Sequence, residues 1–103
     1  MFGTAPADSP SDLRVLEVMS DHVVLDWEPP HSDLHNGVIR EYLVEVSLEG
    51  DGPGVIYRAT NPPALIDGLH PDYSYTVSVA AHTVKTGPYS PPLQLHTLED
   101  GMY

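Results

Sequence analysis

Val23-Val24-Leu25-Asp26-Trp27-Glu28-Pro29-Pro30 decides how this chain folds. Val23, Leu25 and Trp27 fall on one side, and Val24, Asp26 and Glu28 on the other. That two-residue period belongs to a strand with one buried face. With His22 added, Val24 is the single apolar residue on the outer side. The proline doublet ends the strand, because proline has no N–H for a sheet ladder.

The same punctuation recurs in both directions. There are 11 prolines and 8 glycines, with doublets at Pro62-Pro63 and Pro91-Pro92. Between them lie short runs rich in Val, Ile, Leu and Tyr. The clearest is Tyr75 to Ala81, where Tyr75, Val77, Val79 and Ala81 alternate with Thr76, Ser78 and Ala80. Ile39 to Leu48 places Tyr42, Val44 and Val46 inward against Glu41, Leu43 and Glu45. Leu13–Val18, Val55–Ala59, Ala64–Ile66 and a last run through Leu93, Leu95 and Thr97 complete the set. Asn36-Gly37, Glu49 to Gly54 and Asp67-Gly68 read as turns, and residues 83–92 as a loop. Seven short alternating strands predict an all-β chain of two sheets packed face to face.

At 103 residues the chain is one domain. Residues 1–9 read as a tail or linker, 10–98 as the domain and 99–103 as a second tail. Fifteen Asp and Glu stand against four Lys and Arg, a formal charge of −11. That balance disfavours nucleic acid and anionic membrane surfaces. No apolar run approaches the roughly 18–20 residues of a membrane span, and the first residues lack a basic-then-apolar leader pattern. Cysteine is absent, which removes disulfides, thiolate metal sites and cysteine nucleophiles together.

These residues place the chain with a known family. Val23-x-Leu25-x-Trp27-Glu28-Pro29-Pro30, Asn36-Gly37-x-Ile39-x-x-Tyr42-x-Val44, Ile66-x-Gly68-Leu69-x-Pro71-x-x-x-Tyr75-x-Val77-x-Val79-x-Ala81 and Gly87-Pro88-x-Ser90-x-Pro92 occur in order. With Pro10 and Leu13 opening the first strand, residues 10–97 resemble a fibronectin type III domain. The resemblance implies a seven-stranded immunoglobulin-like β-sandwich with a core containing Trp27, Tyr42, Leu69, Tyr75, Val77 and Val79. Truncating Trp27 to Ala is then expected to cost about 3–5 kcal/mol. Tyr75 is expected to pack its ring inside and engage the preceding turn through its hydroxyl, as in the tyrosine corner of related sandwiches.

No catalytic pattern emerges. His31-Ser32-Asp33-Leu34-His35 lies on a loop without a helix's fixed spacing, so no metal is expected there. Glu49-Gly50-Asp51-Gly52 has too few oxygen ligands in sequence for a calcium site. The pairs Asp26 and Glu28, and Glu41 and Glu45, read as solvated outer faces. No nucleophile elbow or phosphate loop is present, and no cofactor is expected. Six histidines make the surface charge pH-sensitive.

Where some relatives of this type carry Arg-Gly-Asp, this chain has Val84-Lys85-Thr86-Gly87, so integrin binding is not carried over. No Asn-x-Ser/Thr sequon occurs. The candidate protein contacts are Leu43, Tyr57, Val84 and Tyr89, with Leu34 also apolar on a loop and Leu43 and Tyr57 expected as surface neighbours. The resemblance implies a non-catalytic spacer and protein-interaction module on the extracellular side of the plasma membrane or secreted. It would be monomeric in isolation, would contact neighbouring domains of its own chain and other proteins, and would belong to a receptor, adhesion or matrix protein such as a receptor tyrosine phosphatase. The alternative is an intracellular structural module of a cytoskeletal or sarcomeric scaffold.

Overall fold

The computed structural model describes residues 8–30, 39–48 and 54–100. Its strands are β1 (Ser11–Val18), β2 (Val23–Glu28), β3 (Glu41–Leu48), β4 (Val55–Ala59), β5 (Ala64–Ile66), β6 (Ser74–His82), β7 (Thr86–Tyr89) and β8 (Leu93–His96). No helix occurs among the described residues. One sheet has the order β1-β2-β5; the other has the order β4-β3-β6-β7, with β8 also on β6. All pairings are antiparallel. The chain passes from sheet to sheet after β2, after β4 and after β5, which makes an immunoglobulin-like sandwich.

The alternation read from the sequence sets the interior. Val23, Leu25 and Trp27 of β2 are buried, as are Tyr42, Val44 and Val46 of β3 and Tyr75, Val77, Val79 and Ala81 of β6. Ala64 and Ile66 of β5, beside β2, and Leu69 of the following turn complete the core. The Trp27 and Tyr42 rings meet edge-on, with centroids 5.2 Å apart at 63°, an arrangement favoured by ring quadrupoles.

Among the described residues, eight paired segments replace the expected seven because the last strand is in two pieces. Thr86-Gly87-Pro88-Tyr89, read as loop from its Gly-Pro signal, pairs with β6 through Thr86 and Tyr89. Pro88 is tolerated because β7 is an edge strand, where nothing beyond it requires a proline N–H. Pro91-Pro92 then interrupts the ladder. Ser90 bridges the gap: its N–H donates to the Val79 carbonyl at 2.8 Å, and its Oγ accepts from the Val79 N–H at 3.0 Å.

β1 carries two irregularities, between Ser11 and Arg14 and between Val15 and Glu17. At the first, Asp12 adopts φ 54°, a left-handed conformation that Asp tolerates better than most residues. At the second, Val15 opposes Leu25 and Glu17 opposes Val24, leaving Leu16 as the extra residue. Two residues then oppose one. Leu16 and Glu17 both lie on the outer side with Val24, while Val15 and Val18 pack against the core.

Candidate interaction surfaces

The strands define two poles. Ser11 opposes Glu28 beside Pro29-Pro30 at one end. The chain leaves β8 at the other, where the Leu98 N–H donates to the Met19 carbonyl at 3.1 Å and the Asp72 N–H donates to the Leu98 carbonyl at 2.9 Å. The turn at this exit pole is held by hydroxyls. The His70 N–H donates to Tyr75 Oη at 2.8 Å, and Thr97 Oγ1 donates to the His70 carbonyl at 2.6 Å while accepting from the Tyr73 N–H at 3.0 Å. Sequence reading anticipated Tyr75 in this role and missed Thr97, which lies 24 to 27 residues from its partners. Gly68 turns the chain with φ 76°.

On the outer face of β4-β3-β6-β7, Arg58, Leu43, Ala80 and Tyr89 form one cross-strand row. Leu43 is 8% exposed and Ala80 is fully buried. Leu43 is therefore a covered residue on this face, contrary to its expected exposure. Burial, and next the Glu45 carboxylate, raises the Tyr89 hydroxyl pKa above 10.0. Tyr57 is not a neighbour of Leu43. It opposes Val44, and Arg58 opposes Leu43, so the one-residue offset turns Tyr57 to the core side. There it packs against the core and donates its hydroxyl to the Asp67 carbonyl at 2.9 Å. Val84 is exposed between β6 and β7. Glu41, read as solvated, pairs with Arg58.

On the outer face of β1-β2-β5, Arg14 pairs with Asp26 and Glu28. The Glu28 hydrogen bond is the largest cause raising the Arg14 pKa, against burial. His22 sits between Asp21, at 2.8 Å, and Glu17, at 3.4 Å. The Asp21 hydrogen bond raises its pKa above 6.5. Among these polar groups Val24 directly opposes Leu65, and Leu65 and Leu16 are 60% and 55% exposed.

A groove of about 430 Å³ opens between the β3–β4 end and the turn after β5, lined by Val46, Leu48, Val55, Tyr57, Leu69 and Tyr75. Both tyrosine hydroxyls are engaged by backbone groups. Gly54 borders it, and a Cβ there would stand 2.3 Å from the Val46 carbonyl oxygen. Among the described residues no group of three or more His, Asp or Glu is placed to hold a metal ion. His31 to His35, Leu34 and Glu49 to Gly52 lie outside the described residues. No helix among the described residues is long and apolar enough to cross a membrane.

Sheet order, core and hydroxyl-held turn define an immunoglobulin-like β-sandwich module. Comparison with known proteins narrows the class. The model of the family described as "Fibronectin type III domain" matches residues 8–96, and the chain belongs to that family. It is 36% identical over 95 residues to receptor-type tyrosine-protein phosphatase F of Mus musculus, covering 90% of this chain and 5% of that protein. It is 32% identical over 97 residues to ephrin type-B receptor 3 of Homo sapiens, covering 93% of this chain and 9% of that protein. The chain thus spans a small fraction of these relatives' length. A domain fragment of titin superposes with a TM-score of 0.80 at 26% identity, covering 91% of this chain and 33% of that chain. The chicken CNTN1 FN1-FN3 structure shares the fold, with a TM-score of 0.78 at 20% identity over 92% of this chain and 32% of that chain. A fibronectin type III domain is a non-catalytic module of the kind that receptors carry. The phosphatase in the first relative's name belongs to a part of that protein outside the matched segment.

Proposed function

We propose that this domain is a spacer and protein-contact module of a multidomain receptor or adhesion protein, working on the extracellular side of the plasma membrane. The observation that carries this reading is the separation of the poles: the first strand starts beside Glu28 and Pro29, and the last strand ends beside Met19 and Asp72. A domain entered at one end and left at the other can be strung head to tail. β6, with nine residues, sets a length of roughly 30 Å per domain. The receptor relatives support the extracellular assignment.

The reading is tested by small-angle scattering on one-, two- and three-domain fragments of the parent chain. A spacer lengthens the particle by roughly 30–40 Å per added domain; a collapsed fragment of near-constant maximum dimension refutes it. Protease protection of the tagged parent in intact cells tests the compartment. Digestion from outside supports the extracellular side. Full protection favours the second reading, an intracellular structural module, which the titin superposition supports.

A further inference from the structure

The outer face of β1-β2-β5 carries an apolar row that the core does not need. Val24 of β2 opposes Leu65 of β5, and Leu16 of β1 is the bulged residue next to Glu17, which opposes Val24 from the other side. Single exposed leucines are ordinary on a protein surface; apolar residues from all three strands of a sheet gathered at one level point to a contact surface. The row is three residues long and one residue wide. Two positions along from Val24, on the same face, stand Asp26 on one side and His22 on the other. Glu28 extends the Asp26 flank, and Glu17 and Asp21 the His22 flank. Four carboxylates thus border the row. Arg14 is held by Asp26 and Glu28, and His22 by Asp21 and Glu17.

We propose that this face docks a basic amphipathic helix of a partner protein, laid across the three strands. The proposal rests on the protein-contact reading above and specifies its surface. Adjacent strands lie about 4.8 Å apart, and apolar residues on one face of a helix recur about every 5.4 Å. Three such residues on two helical turns therefore match Leu16, Val24 and Leu65. Lysines or arginines flanking that stripe reach the carboxylates on both sides of the row. A second copy of this chain is a poor occupant, because self-apposition would bring the same carboxylates face to face. An anionic membrane is disfavoured for the same reason.

The test is an NMR titration of the isotopically labelled 103-residue chain with a helix-forming peptide bearing a leucine stripe flanked by lysines. Its counterpart, with glutamate for lysine, is the control. Saturable shifts clustered at the amides of Leu16, Val24 and Leu65 are expected, weakened at least about tenfold by Leu65→Lys or by the glutamate peptide. A melting curve of Leu65→Lys that matches the parent chain shows that the fold is intact. Shifts on the Leu43–Tyr89 face, indifference to Leu65→Lys, equal binding of the glutamate peptide, or no saturable shift would each overturn the proposal. So would a concentration-dependent dimer that shifts the same three amides. None of these outcomes bears on the spacer reading, which fails only if the tandem fragments collapse.

Discussion

In the turn between β5 and β6 two side-chain hydroxyls converge on one residue, His70, and that makes their energetics measurable. The His70 N–H donates to Tyr75 Oη, and the His70 carbonyl accepts from Thr97 Oγ1, which also accepts from the Tyr73 N–H. Tyr75→Phe leaves one N–H without its acceptor, at about 1–2 kcal/mol. Thr97→Val keeps side-chain volume but removes a donor and an acceptor. Thr97 is 1% exposed, so water cannot replace them without a local opening, and the expected cost is about 2–3 kcal/mol. Thr97→Ser keeps the hydroxyl and forfeits one methyl, about 0.8 kcal/mol. In a domain of this size each kcal/mol lowers Tm by about 4–8 °C.

Because both hydroxyls hold the same residue, the effects should not add. Once one is gone the turn relaxes, and the second loss costs less, with a coupling of at least about 0.5 kcal/mol. The assay is urea unfolding followed by Trp27 fluorescence, with m required to stay constant across the four chains of the cycle. The reasoning is refuted if Thr97→Val is no worse than Thr97→Ser, or if the Tyr75→Phe and Thr97→Val losses sum without coupling.

Other perturbations probe separate links in the argument. Gly54→Ala should destabilise the domain by about 1–3 kcal/mol, because the added methyl meets the Val46 backbone rather than a movable side chain; a melt unchanged from the parent would contradict that. Leu43→Lys places a charge at a site 8% exposed, whereas Leu65→Lys alters one 60% exposed. The first should therefore cost more than about 2 kcal/mol and the second less than about 0.5 by urea titration. The hydrogen bond to Asp21 raises the His22 pKa above 6.5. The protonated form is thereby favoured in the folded state, and this contribution is present below pH 6.5 and lost as pH rises through the folded pKa. An NMR pH titration should find the His22 pKa lower in Asp21→Asn, and an unchanged value would remove Asp21 as its cause.

The architecture was legible because strand alternation is a local property. Val23, Leu25 and Trp27 face inward whatever lies opposite them, since successive side chains on a strand point to opposite sides. The same holds for Tyr42 to Val46 and Tyr75 to Ala81. The tyrosine hydroxyl at the turn was also within reach, because Tyr75 and His70 are five residues apart.

What the tertiary structure alone decided is everything that depends on register and on contacts between distant segments. Whether Tyr57 meets Leu43 or Val44 depends on the pairing offset of β3 and β4, and one residue of offset reverses the face. Leu65 sits in an all-apolar run of three residues, where alternation has nothing to distinguish the two sides. Glu17 faces outward and Val18 inward only because β1 bulges against β2. Thr97 is a pin only because the end of the chain folds back onto a turn 24 to 27 residues earlier. Alternation comes from the geometry of one strand, whereas these features come from how separate strands are aligned, which no single stretch of residues encodes.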